Sequence, residues 1–244
     1  MGPPLLITGA SSGIGRSLAN HFAGEYEVVA LARRIERMEE EYADRPSVTP
    51  YELDLADSVA TSRTIHRLQS EYGSIPYVIN NAGVNVGGEV ADLAEPDIDR
   101  SLQVNAVAPV VVLQELLPEM ERENFGRVVN VTSGAPLNCP AGAGAYSASK
   151  AALNAFTVTA ANEHADSNLK INLMSPGPCR TEMAPDAPLD PSVCHSTAEY
   201  LLDLDADGPT GEFFWLEHRV PLFPDLDDTE WEAGEPGENL EPVN

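Results

Sequence analysis

Lysine is almost missing from this chain. Its 14 basic residues include only Lys150 and Lys170 as lysines, and they face 39 acidic residues, for a net charge of −25. A surface of that sign repels phosphate backbones and anionic lipid, so neither nucleic acid nor a membrane is expected as a partner. Two sources of the acidity are open: a basic protein partner, or adaptation to a salt-rich cytoplasm, where ions screen self-repulsion. Acids spread along the whole length favour salt, and hence a halophilic source. The three cysteines, Cys139, Cys179 and Cys194, are odd in number and scattered. They give no disulfide framework and no metal-ligand spacing, and they suit a reducing compartment. Long apolar runs are lacking too. The run Val107–Val112 is broken by Pro109 and falls short of the roughly 20 residues that span a bilayer. Met1-Gly-Pro-Pro leads directly into an apolar segment, without the basic region or cleavage site of a secretory leader. The expected location is therefore cytoplasmic.

What is present is a regular alternation. Leu5–Thr8, Glu27–Ala32, Val48–Leu53, Tyr77–Asn80, Arg127–Val131, Ile171–Met174 and Glu212–Leu216 each read as strands. Helical patterns lie between them: through Leu18 and Phe22, from Arg34 to about Tyr42, after Asp57, from about Pro96 to Glu123, and from about Ala145 past Phe156. Strand and helix in turn predict an α/β doubly wound parallel sheet of about seven strands, a Rossmann fold in one domain spanning residues 1–222. Residues 223–244 read as an acidic, disordered tail, with Trp231 as an exception that could dock on the body. In such a sheet the ligand lies beyond the carboxyl ends of the strands. The informative segments are then the loops that follow them.

The first is Gly9-x-x-x-Gly13-x-Gly15, between a strand and a helix. Glycines there let the backbone approach a pyrophosphate facing the helix N-terminus. The spacing differs from GxGxxG, and glycine turns are common between strands and helices. Roughly 20 residues beyond such a loop, an acid would meet a ribose 2′-hydroxyl and an arginine a 2′-phosphate. Arg33 and Arg34 stand there with no acid, which points to NADP(H) rather than NAD(H). The plainer alternative is that they only open a surface helix.

The segment Ser133–Lys150 carries the chemistry. Tyr146 and Lys150 are four apart and share a helix face. A Gly/Pro/Ala loop could fold Ser133 back toward Tyr146. A phenol beside an ammonium is an acid whose pKa can be lowered toward neutrality, as proton transfer requires. Alone, such a pair is ordinary helix surface.

Thr8-Gly-Ala-Ser-Ser-Gly-Ile-Gly15, Asn80-Asn-Ala-Gly83, Asn105, Ser133, Tyr146-x-x-x-Lys150 and Pro176-Gly177 with Thr181 together resemble the short-chain dehydrogenase/reductase family. The resemblance implies that Gly9, Ser11, Ser12, Gly13 and Ile14 line the diphosphate and adenosine ribose, with Gly15 closing the turn. It puts Asp54 and Leu55 beside the adenine. Asn81, Ala82 and Gly83 would support that side, and Pro176, Gly177 and Thr181 would hold the nicotinamide. It makes Ser133 the orienter of a substrate carbonyl, Tyr146 the acid/base, and Lys150 the group holding the ribose. Asn105 would fix a water linking Lys150 to solvent. Cys179 departs from the valine or isoleucine of many relatives, which leaves the nicotinamide contact open. Leu137, Asn138, Pro140, Ala143, Gly144 and Met183 would line an apolar, open pocket suited to a modest ketone or aldehyde, as in carbonyl-reductase-like members. A homodimer or homotetramer is possible on the same grounds.

Competing readings are an epimerase or dehydratase, for which no C-terminal substrate domain is available, and a catalytically silent dinucleotide sensor, against which stands the complete Asn, Ser, Tyr and Lys set. An NAD-preferring alcohol dehydrogenase is the third.

Overall fold

A computed structural model describes residues 2–223. The acidic tail and Trp231 lie outside the described residues, apart from Phe223. Strands β1 (Pro4–Thr8), β2 (Glu27–Ala32), β3 (Val48–Glu52), β4 (Tyr77–Asn80), β5 (Gly126–Val131), β6 (Leu169–Ser175), β7 (Phe213–Trp215) and β8 (His218–Val220) form one sheet in the order β3-β2-β1-β4-β5-β6-β7-β8. Seven are parallel, as the alternation requires; β8 runs antiparallel to β7.

The sequence pattern marks seven strands and the sheet has eight. The addition is a hairpin in which Trp215 pairs with His218, so the loop is only Leu216-Glu217. Both loop residues have positive φ, 45° and 66°, the conformation of a type I′ turn, which normally shows itself as Asn-Gly. With two ordinary side chains there and a polar three-residue strand beyond, neither the turn nor the strand carries a sequence signal.

Successive residues of a strand face opposite sides of the sheet, and the core divides accordingly. Leu5 and Ile7 pack with Leu18, Ala19 and Phe22 of α1 (Gly13–Phe22) and Leu201 of α8 (His195–Leu202). Leu6, Val29 and Leu31 face the other way, onto Ile65 and Leu68 of α3 (Ser58–Tyr72) and Val112, Leu116 and Met120 of α5 (Ala108–Glu123). Asp57 caps α3 as expected, accepting from the Ala60 N–H at 2.9 Å. The remaining helices are α2 (Ile35–Glu41), α4 (Glu95–Leu102), the single turn α6 (Ala135–Asn138) and the long α7 (Gly144–Glu163).

Helix α4, a π-helical turn at Gln103–Val107 and α5 form one rod, Glu95–Glu123. It is long and apolar enough to cross a bilayer by length and composition, with a mean hydropathy of 1.2 over its best window. Counting only unbroken apolar runs misses this. Half of that window is buried, so its apolar side belongs to the core. Pro109 accounts for the irregular turn: it has no N–H to return to the Asn105 carbonyl four residues back.

Candidate functional site

β1 and β4 are neighbours, but their connections leave to opposite sides: β2 and β3 extend the sheet one way, β5 to β8 the other. A crevice opens at such a switch point, outside the carboxyl ends of the strands. Its floor is the turn after β1. Gly9 has φ 73°, and a Cβ there would stand 2.9 Å from Ala82 Cα. A Cβ on Gly15 would strike the Gly9 carbonyl and come within 2.5 Å of Asn81 Nδ2. The turn is thus packed against the Asn81 side chain and the Ala82 backbone. Thr8 holds that contact from below, its Oγ1 accepting from both the Asn81 and Ala82 N–H groups at 3.0 Å.

Ser12 is the N-cap of α1, yet its side chain caps nothing. Its hydroxyl instead accepts from Arg34 Nη2 at 2.7 Å. The first-turn N–H groups of α1 keep their positive end toward the crevice, the usual setting for an anion. Arg34 lies across the turn, also bonding Ser11 Oγ through Nε and Nη2 at 3.2 and 3.1 Å. Arg33 lines the same cleft and makes no ion pair among the described residues.

On the other side of the cleft Lys150 is 3 % exposed, and its ammonium donates to the Val131 carbonyl at 2.7 Å. Burial pulls its pKa down to about 8. Burial also dominates at Tyr146 and raises its pKa, with the neighbouring Ser133 hydroxyl pulling the other way. The sequence expectation of a phenol acidified by its lysine is therefore not met here. The ammonium is engaged with backbone, and desolvation of the phenolate outweighs the one hydrogen bond. Asn105 is fully buried. Its Oδ1 accepts from the Val84 N–H at 2.8 Å, and its Nδ2 donates to the Val84 carbonyl and to Ser149 Oγ at 2.8 and 2.9 Å. Ser149 in turn donates to the Tyr146 carbonyl at 2.8 Å. The amide therefore ties the strand extension after β4 to the first turns of α7.

Gly9, Ser11, Ser12, Gly13 and Ile14 line the cleft together with Arg33, Arg34, Asp54 and Leu55. Asn81, Ala82, Gly83, Tyr146, Lys150, Pro176 and Thr181 line it as well. Gly15, Gly177 and Asn105 do not line it, and neither does Ser133, which is half-buried beside Tyr146. Gly177, at φ 74°, sits against Leu189 and Trp215 and shapes the loop. Cys179 also turns away: its Sγ lies 3.1 Å from the Pro176 carbonyl, and burial raises its pKa to about 11.

The expected substrate wall needs a larger correction. Only Met183 of its six residues lines the cleft. Ala143 and Gly144 face the segment around the 3₁₀ turn Val90–Asp92: Gly88 donates to the Gly142 carbonyl at 2.9 Å, and a Cβ on Gly144 would lie 3.2 Å from Val90 Cγ2. Leu137, Asn138 and Pro140 are exposed. A Gly/Ala/Pro loop has no periodicity, so its facing could not be read from sequence. Glu182, Arg37 and Arg100 were missed altogether. Glu182 and Arg100 line the cleft, and Arg37 reaches Glu182 at 2.5 Å. The scarcity of cations was the available signal for both arginines.

Residues 4–191 match the family model of short chain dehydrogenases. The chain belongs to that family. It is 33 % identical over 191 residues to the NADP-dependent 3-hydroxy acid dehydrogenase of Schizosaccharomyces pombe, covering 75 % of this chain and 74 % of that one. A metagenomic short-chain oxidoreductase solved in complex with NADP superposes with a TM-score of 0.78 at 25 % identity, covering 87 % of this chain and 96 % of that one. A 4-hydroxyisoleucine dehydrogenase complexed with NADH and succinate gives 0.80 at 28 %, over 86 % and 96 %. This short chain dehydrogenase is accordingly an oxidoreductase that uses a nicotinamide dinucleotide. Its residues fit one: the turn where side chains would collide, the uncapped start of α1 and the Arg34 guanidinium form a cradle with phosphate-binding chemistry.

Proposed function

We propose that this enzyme interconverts a ketone or aldehyde and its alcohol with NADP(H), Tyr146 acting as acid and base. What supports the reading is Tyr146 beside the Ser133 hydroxyl, with Lys150 lining the same cleft as the Arg34–Ser11–Ser12 contact. The bound dinucleotide supplies the hydride, or accepts it in the reverse direction.

Ser133 donates a hydrogen bond to the substrate oxygen and orients it. Tyr146 delivers its phenolic proton to that oxygen in reduction and removes it in oxidation. At neutral pH Lys150, with a pKa of about 8, is mostly cationic. Turned from Val131 toward the phenol, its charge would favour the phenolate. Asn105 has both amide hydrogens committed. A relay water toward Lys150 would hang from its backbone carbonyl, which Pro109 leaves without an α-helical donor. Arg33 and Arg34 favour the 2′-phosphate, with planar forks better matched to it than a lysine would be. The apolar side chain of Met183, at the open edge of the cleft, suits a small uncharged carbonyl compound. The acidic surface fits a cytoplasm rich in salt, without nucleic acid or membrane partners.

The test is consumption of NADPH by the purified full chain across a panel of ketones and aldehydes in molar KCl. Turnover is expected, with Tyr146→Phe reducing it by about 10²- to 10⁴-fold. Tight NADPH binding without turnover, unaltered by Tyr146→Phe, would instead identify a dinucleotide sensor.

A further inference from the structure

One ion-pair cluster spans the mouth of the cleft, and the chemistry above leaves it unused. Glu182 comes from the loop after β6. Its two carboxylate oxygens take Arg34 Nη1 at 2.8 Å and Arg37 Nη1 at 2.5 Å, both from the start of α2 across the crevice. Arg34 simultaneously holds the hydroxyls of Ser11 and Ser12. Three loops that surround the cofactor cleft thus meet on one carboxylate. The cost of occupying two arginines is notable in a chain with 14 basic and 39 acidic residues. Thr181, beside Glu182, closes the same gap: a Cβ on Gly13 would lie 2.9 Å from its methyl group.

We propose that Glu182 is a cofactor-discriminating residue that fills the Arg34–Arg37 fork in place of a ribose 2′-phosphate, so that NADP(H) binds by displacing it. The inference rests on the NADP(H) reading and sharpens it, because it makes Arg37, not Arg33, the second cation of the phosphate site. The chemistry permits the exchange. A 2′-phosphate carries more negative charge than a carboxylate and three acceptor oxygens, so it outcompetes Glu182 for two guanidinium groups. The displaced side chain costs little, since all three residues are 37 to 53 % exposed and such pairs are weak. A dinucleotide without that phosphate leaves the clasp closed and gains nothing from the fork.

Calorimetric titration of the full chain with NADPH, NADH, 2′-AMP and 5′-AMP tests this, with thermal unfolding confirming that each variant is folded. Glu182→Gln is expected to tighten NADPH and 2′-AMP by about threefold to tenfold, the worth of an exposed ion pair. NADH and 5′-AMP should change less than about twofold by the same reasoning. Arg37→Ala should weaken NADPH as Arg34→Ala does, whereas Arg33→Ala should not. Unchanged or weaker NADPH binding in Glu182→Gln, while Arg34→Ala still weakens it, would overturn the displacement and leave the NADP(H) reading standing. Equal NADPH and NADH affinities, insensitive to both Arg34→Ala and Arg37→Ala, would remove both.

Discussion

Replacing Lys150 by methionine separates what this residue costs from what it does. Its ammonium is enclosed, and its pKa falls from 10.5 to about 8 because burial penalises the charge. The unfolded chain therefore holds the proton more tightly than the folded one between those two values. Stability gained from this residue must rise with pH through that window, and below the folded pKa the full penalty is present. A depression of about 2.5 units corresponds to roughly 3 kcal/mol at neutral pH. Methionine keeps much of the volume without the charge, at the expense of the hydrogen bond to Val131. The pH-independent part of that exchange cancels if the two proteins are compared at two pH values. Between about pH 7 and pH 9.5, wild type should gain about 2 kcal/mol on Lys150→Met. Urea unfolding followed by circular dichroism, in molar KCl at both pH values, reads the difference. A gap that stays constant, or that moves in favour of the variant as pH rises, would refute a buried, depressed lysine.

Other expectations follow from the same geometry. Gly15→Ala would drive a methyl group into the Gly9 carbonyl and Asn81 Nδ2, costing about 1–3 kcal/mol as overpacking does and weakening dinucleotide binding; a denaturation midpoint equal to wild type would contradict the turn described. Asn105→Ala would strand the Val84 N–H and carbonyl, a loss of about 3 kcal/mol by the usual cost of buried unpaired groups, read by chemical denaturation. A net charge of −25 should make the melting temperature rise by several degrees from dilute buffer to molar KCl, as screening of self-repulsion implies. Equal stability in both would remove the halophilic reading.

The parts of this molecule legible from sequence are those where one residue type has one physical reason to be present. Short, largely apolar runs between helical patterns located seven strands, because a buried parallel strand is apolar on both faces. Asp57 announced a helix start because its carboxylate accepts from the first turn. The glycine turn and the Tyr146–Lys150 pair were legible from spacing, and both line the cleft. What escaped is pairing at a distance. Glu182 and Arg37 are 145 positions apart and look like any other charges on the chain. The facing of residues 134–144 depends on a neighbour at Val90, and the state of Tyr146 depends on how much of it is covered. No local pattern encodes either.

At high protein concentration the two outer strands of the sheet are the edges that another chain could pair with. Along β3 the Val28 N–H of β2 donates to the Ser47 carbonyl and the Leu53 N–H to the Ala32 carbonyl, so the backbone groups of odd-numbered residues point to β2 and Pro50 turns its nitrogen outward. At the opposite rim, β8 is three residues long, bears His218 and Arg219, and runs into Pro221. A foreign strand approaching either rim meets a missing donor or a desolvated charge. Even where molar salt strips away the electrostatic repulsion between copies, the missing amide at Pro50 and the shortness of β8 weaken edge-to-edge pairing between them.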